Sequence, residues 1–328
     1  MAFDSNAVPF RGFCVRYDDM SMRIAMMGSG GVGGYFGARM ASGGSDVTFI
    51  ARGQHLSAIQ SNGLRIDSRD MGDITIYPAK ATKNPAEVGI VDCVIVAVKL
   101  WDTEATGEAI LPMLGPETAV LSLQNGVEGD DVLASIVGQQ RIISGVAFIA
   151  SSISQPGVIK HIGTMQRIVI GESDGISSPR IEALHKALIK GRVVSEISND
   201  VERTIWEKFV FLIGLSATTT LMRRTLGPIR EDKESRQLLL EAMKETVAVG
   251  RARGVALSEN FAEDRLKFAD GLPVDMTSSM HHDLEAGKPL ELPWLSGAVA
   301  RFGLEAGIPT PANNRVCSQL QQHISGTR

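Results

Sequence analysis

Cysteine is scarce in this sequence, and its scarcity narrows the setting. Cys14, Cys93 and Cys317 are odd in number and far apart, so they read neither as a disulfide framework nor as a zinc-ligand pattern. A reduced, cytoplasmic setting is the expectation. No stretch approaches the roughly 18 apolar residues that a membrane helix requires, so no membrane partner is expected. The segment before Met22 ends in Tyr17-Asp18-Asp19-Met20-Ser21, has mixed polarity and carries no apolar run of signal-peptide length. It reads as a disordered extension over residues 1–21 or a misplaced start, with structure beginning at Met22. Basic blocks and acidic tails are missing. A formal net charge of -4 lacks the positive footprint of a nucleic-acid binder. There is no internal repeat and no low-complexity tract. With 44% hydrophobic and 21% charged residues, the composition is that of an ordinary globular protein with an ample core. A length of 328 residues favours two domains over one.

Short apolar runs and helical periodicity alternate through the first part of the chain. Residues 23–27 form a mostly apolar run that stops at glycines, which predicts a buried strand. A helix is predicted over 33–42 and a second strand over 46–51. Nearly continuous apolar strands are predicted at 93–98 and 119–123, each followed by a helix, at 102–113 and 129–137. Residues 142–150 continue the pattern, and 158–161 and 167–170 read as late strands open to an antiparallel arrangement. A helix over 179–190 begins with proline in its first turn. Strands alternating with helices imply a parallel sheet covered on both faces. From about residue 199 the pattern changes to helices, at 201–222, 235–253 and 260–268, with no strong strand among them. The expected architecture is α/β: a Rossmann-type parallel-sheet domain at 22–198 and an all-helical substrate and catalytic domain at 199–328.

Gly28-Ser29-Gly30-Gly31-Val32-Gly33 fits G-x-G-x-x-G. The motif is weak alone, but here it follows a strand and opens a helix. The first glycine permits a tight turn, the second lets a pyrophosphate approach the backbone, and the third lets helix and strand pack closely. The phosphates would rest on the helix N-terminus, where unpaired N–H groups and the dipole favour negative charge. A glycine-rich turn without a ligand is the plain alternative. Arg52 follows the second strand. An acidic residue there would bond the ribose of NAD, whereas an arginine can hold a 2′-phosphate, so the expected cofactor is NADP(H). Its plain alternative is a solvated surface arginine.

Ligands of open α/β sheets bind outside the carboxyl ends of the strands, and Lys99 and Asn125 both follow predicted strands there. Either can equally be an ordinary loop residue. Lys208, in Trp206-Glu207-Lys208, borders the apolar run 209–215. Such a lysine can snorkel to water or be held in a cleft as a proton donor. Residues 208, 212 and 216 share one helix face. Burial would lower the Lys208 pKa, and a nearby carboxylate such as Glu291 would oppose that shift. Glu291 is a lone charge among apolar residues and prolines, which also fits a surface group or a charge near a helix start. Ser278 or Ser279 can cap a helix. His281 and His282 are adjacent and imply no metal site.

At this point the chain resembles the ketopantoate reductase family (2-dehydropantoate 2-reductase) over nearly all of residues 22–320. The resemblance rests on GSGGVGG, VKLWDT around Lys99, LQNG around Asn125, WEKF around Lys208, and SSM with the later Glu291, in that order. It implies NADPH-dependent reduction of a small 2-oxo acid, most simply 2-dehydropantoate in pantothenate biosynthesis. By the same resemblance Lys208 is the catalytic acid and Glu291 orients the ligands. Asn125 contacts cofactor and substrate, Lys99 lies on the cofactor side, Arg52 binds the 2′-phosphate, and Ser279 meets the substrate carboxylate. Leu212, Ser216 and Leu226 stand where better-studied members carry asparagines on the substrate side. Leucine cannot hydrogen-bond a polar substrate, so reductase chemistry is better supported than ketopantoate as the substrate. A related reductase for a less polar 2-oxo acid and a non-catalytic NADPH-binding regulator are the competing readings. Lys208 and Glu291 favour an enzyme. The sequence leaves the oligomeric state open, a homodimer included.

Overall fold

The computed structural model of the chain describes residues 21–327. The reading of residues 1–21 as a disordered extension falls, Ser21 apart, outside the described residues. In chain order the sheet region contains β1 (Arg23–Met27), α1 (Gly31–Ser42), β2 (Asp46–Ile50), α2 (Gly53–Asn62), β3 (Leu64–Ser68), β4 (Ile74–Ile76), β5 (Lys80–Thr82), β6 (Val91–Val96), α3 (Thr103–Ile110), β7 (Leu114–Ser122), α4 (Gly129–Val137), β8 (Ile142–Gln155), β9 (Val158–Gly171), α5 (Pro179–Lys190) and β10 (Val194–Ile197). Helices follow: α6 (Val201–Met222), α7 (Leu226–Glu231), α8 (Lys233–Ala252), α9 (Phe261–Asp270), α10 (Ser279–Glu285), α11 (Ser296–Ala306) and α12 (Pro311–Leu320).

The strands run in the order β4-β3-β9-β8-β7-β6-β1-β2-β5, with β10 alongside β9. β1 pairs in parallel with β2 on one side and β6 on the other, so Ala25 lies between Thr48 and Val94. The chain thus winds outward from β1 in one direction and then in the other. That makes the β1/β6 junction the switch point at which the carboxyl ends of the strands open a crevice. Successive residues of β1 point to opposite faces. Ile24 and Met26 join the core beneath α1 and α5, whereas Ala25 and Met27 join the core beneath α3 and α4. Cys93 and Val94 divide in the same way. Cys93 is therefore a core residue, and burial pushes its thiol up to about 12.

The predicted strands 158–161 and 167–170 are the two ends of one strand, β9. It runs antiparallel to β8, and its other edge carries β3 along the first half and β10 along the second, both in parallel. Strand 93–98 is displaced to Val91–Val96, which leaves Ala97, Val98 and Lys99 in the loop above the sheet. The short or polar elements α2, β3, β4, β5 and β10 had no clear sequence signal.

α6 is the centre of the helical region. Asp200 caps it by accepting a hydrogen bond from the Arg203 N–H, and the left-handed Arg223 (φ 49°) ends it. Against the expectation that no stretch approaches a membrane helix, α6 is long and apolar enough to cross a membrane by length and composition, but 61% of its apolar window is buried inside the protein. Phe209, Val210 and Ile213 pack with Leu239, Met243 and Val299 in a core separate from those of the sheet. Gly214 makes this packing close: a Cβ there would lie 2.5 Å from Met243 Cγ.

Candidate active site

The three motif glycines meet three different surroundings. Gly28 has φ of 90°, and a Cβ on it would press on Val98 Cγ1 at 2.8 Å and the Ala97 carbonyl oxygen at 2.9 Å. A Cβ on Gly33 would collide with the Gly28 carbonyl oxygen. A Cβ on Gly30, by contrast, would meet nothing within 4 Å. A turn, a close helix–strand contact and an open approach are what a pyrophosphate-binding loop needs at these places. Gly31 lies against β8, where a Cβ would be 2.5 Å from the Ser151 carbonyl oxygen. Val32 packs at the margin of the core beneath α1. Ser29 is buried, and both its N–H and its hydroxyl donate to the Ile50 carbonyl, each at 3.1 Å. The loop is thereby fastened to the end of β2, and the residues present fit a dinucleotide.

Arg52 stands two residues past β2, with 76% of its side chain exposed and Nη1 3.9 Å from Asp102 Oδ2. Such an exposed pair contributes little and leaves the guanidinium free to meet a phosphate.

The loops after β6 and β7 are tied together. Gln124 Nε2 donates to the Val98 carbonyl (3.2 Å) and to Thr103 Oγ1 (2.9 Å). This brings Lys99 and Asn125 to one end of the sheet, where the helical region faces them. Lys99 Nζ donates to Asp283 Oδ2 at 2.7 Å and to Glu291 Oε2 at 3.0 Å. The other oxygen of Glu291 accepts from the Leu100 N–H at 3.1 Å. Glu291 is only 5% exposed, so its charge is compensated inside the protein. Burial acts to lower the Lys99 pKa, but the Glu291 charge and the Asp283 hydrogen bond outweigh it and raise the pKa, keeping this lysine cationic.

Lys208 lies in the second turn of α6. Its Nζ donates to Asn125 Oδ1 at 2.9 Å and lies 5.9 Å from the centre of the Phe148 ring. The residue as a whole is half-buried, and its ammonium is desolvated by the protein around it. Its desolvation pushes the pKa from 10.5 down to about 8, with the Glu291 charge opposing the fall. Lys99, Asn125, Lys208 and Glu291 thus converge from four segments far apart in sequence. The result is an ammonium that can give up a proton near neutral pH, steadied by an amide oxygen.

Ser279 is the exposed first residue of α10, while Ser278 is the cap, accepting from the His281 N–H at 3.1 Å. His281 Nδ1 donates to the Thr219 carbonyl (2.7 Å), and His282 Nε2 pairs with Thr277 Oγ1 (2.9 Å). Leu212, one turn beyond Lys208, is partly exposed. Ser216 is buried with its hydroxyl 3.9 Å from Met280 Sδ, and Leu226 is fully buried in the helical core. Asp283 and Phe148 were not sequence candidates. The i, i+4 spacing of Ser279 and Asp283 was the available signal for the former. For Phe148, inside an apolar strand, there was none.

The family model described as "Ketopantoate reductase PanE/ApbA" matches residues 24–175, and "Ketopantoate reductase PanE/ApbA C terminal" matches residues 200–324. A 2-dehydropantoate 2-reductase of Mesorhizobium japonicum is 31% identical, over 92% of this chain and 97% of that protein. The uncharacterized oxidoreductase YkpB of Bacillus subtilis is 30% identical, over 92% of this chain and 99% of its own length. Among solved structures, a 2-dehydropantoate 2-reductase from Geobacter metallireducens superposes with a TM-score of 0.86 at 33% identity, covering 92% of this chain and 99% of that one. With both halves of the chain matched and relatives aligned over nearly their whole length, the chain belongs to the ketopantoate reductase family.

Proposed function

We propose that the chain is an NADPH-dependent oxidoreductase that reduces a small 2-oxo acid to the 2-hydroxy acid, with Lys208 as the proton donor. The observation that carries this reading is the Lys208–Asn125 contact of 2.9 Å, made by an ammonium whose pKa has fallen to about 8, beside the strand ends. Residues 22–198 form the nucleotide-binding part and 199–328 the helical part that brings the acid. The glycine loop and Arg52 would hold NADPH, which when bound supplies a hydride. Lys208 keeps a proton on Nζ and delivers it to the substrate carbonyl oxygen as negative charge develops there. Asn125 fixes the ammonium through Oδ1, which leaves its Nδ2–H groups to face ligands. Glu291 favours the charged form of Lys208 and, through the Leu100 N–H and Lys99, holds the strand-end loop in register. Ser279 faces solvent at the helix start, where the substrate carboxylate would be received.

The first candidate substrate is 2-dehydropantoate. A second reading, a 2-oxo acid with a less polar side chain, is favoured by the partly exposed Leu212 on the Lys208 face. Loss of NADPH absorbance with 2-dehydropantoate and with aliphatic and aromatic 2-oxo acids separates the two. The first predicts the highest kcat/KM for 2-dehydropantoate. The second predicts a higher kcat/KM for an apolar acid, with Leu212→Asn shifting preference back. NADPH binding without turnover of any 2-oxo acid would refute both and leave the regulator.

A further inference from the structure

His55, in the first turn of α2, has both ring nitrogens engaged. Nδ1 lies 3.0 Å from the Gly157 N–H, which can only donate, so Nδ1 is the acceptor. Nε2 lies 2.8 Å from the Ser29 carbonyl, which can only accept, so Nε2 carries the hydrogen. The imidazole is therefore a neutral bridge between two backbone sites of different kinds. Gly157 forms the tight turn between β8 and β9 with φ of 79°. Ser29 lies in the glycine loop.

The Ser29 carbonyl belongs to the same planar unit as the Gly30 N–H. In a trans peptide these two groups point in opposite directions. Drawing the carbonyl toward α2 turns the Gly30 N–H away from it, and no protein acceptor among the described residues takes that N–H. Gly30 is also the motif glycine whose missing Cβ leaves open space.

We infer that His55 is a positioning residue for the cofactor, locking the Ser29–Gly30 peptide so that the Gly30 N–H is presented to the pyrophosphate. This rests on the NADPH reading above. The lock has a rigid far end. The β8–β9 turn that supplies the Gly157 N–H is itself held on its other side, where the Gly157 carbonyl accepts from the Arg65 N–H of β3 at 2.9 Å. The loop is thus braced through His55 against the sheet and does not rely on its own glycines to hold one orientation.

Two ligands separate this role from general support. NADPH needs the pyrophosphate loop, whereas adenosine 2′-monophosphate reaches the Arg52 end and has no pyrophosphate. His55→Leu should weaken NADPH binding about tenfold while leaving the adenosine 2′-monophosphate Kd within about twofold, the scale of one lost hydrogen bond. His55→Gln, whose amide offers one donor and one acceptor, should recover most of the loss. Should His55→Leu not fold, His55→Asn makes the same test, because its shorter amide cannot span Ser29 and Gly157. Unchanged NADPH affinity in these variants, or equal loss of both ligands, overturns the inference while the cofactor reading stands. Wild-type protein that binds neither ligand overturns the cofactor reading and the inference with it.

Discussion

Reduction by this chain should fail with rising pH near 8, well below the pH at which an ordinary lysine loses its proton. Desolvation lowers the Lys208 pKa from 10.5 to about 8 against the pull of Glu291. At 1.36 kcal/mol per unit, this is a penalty of roughly 3 kcal/mol on the ammonium. The sign follows from lysine being a cation when protonated. The donor form is present below about pH 8 and is lost above it. About nine-tenths of the enzyme then carries the donor proton at pH 7 and about one-tenth at pH 9. The kcat/KM for NADPH-dependent reduction, followed between about pH 6 and 10, reports the free enzyme. It should be level to about pH 8 and then fall about tenfold per unit. Glu291→Gln removes the charge that supports the ammonium but keeps an oxygen for the Leu100 N–H, so the falling limb should move to lower pH. A wild-type limb near the ordinary lysine value would refute this reasoning, as would a limb that Glu291→Gln moves upward.

Cofactor choice follows from Arg52. Arg52→Ala should weaken NADPH far more than NADH, whereas an equal loss, read from the two Kd values, would remove Arg52 from the phosphate site. The glycine loop should divide stability from binding. Gly33→Ala drives a methyl into the Gly28 carbonyl and should cost about 1–3 kcal/mol in denaturant unfolding. Gly30→Ala has room in the free protein and should keep wild-type stability while losing NADPH affinity. A Gly30→Ala protein that binds NADPH normally would contradict the placement of the pyrophosphate.

Much of this site was legible because its signals are local. A glycine motif between a strand and a helix states its own backbone geometry, and α6 carries a cap, a long apolar face and a single lysine at its edge. Lys99 and Asn125 could be placed because strand ends in a parallel sheet share one rim. What remained hidden depends on contacts between distant segments. The pairing of Lys99 with Asp283 joins residues 184 apart, and His55 gains its meaning only once α2 meets the β8–β9 turn 102 residues later. α2 itself is polar through most of its length, and β4 and β5 are three residues each, too short for periodicity to register. Leu226 shows the reverse problem. The family resemblance implied a substrate-side position for it, yet the fold uses it as a core residue of the helical region.

The central claim is that an NADPH-dependent reductase delivers its proton from Lys208. Lys208→Met tests it most directly, because the substitution keeps most of the hydrophobic stem and removes the ammonium. Loss of general acid catalysis should lower turnover of the best 2-oxo acid by about 10²–10⁴-fold. The NADPH Kd should stay near wild type, since the proposed phosphate sites, the glycine loop and Arg52, lie in the sheet region. A folded Lys208→Met protein that reduces the same 2-oxo acid at the wild-type rate would contradict the account and make Lys99 the next candidate donor.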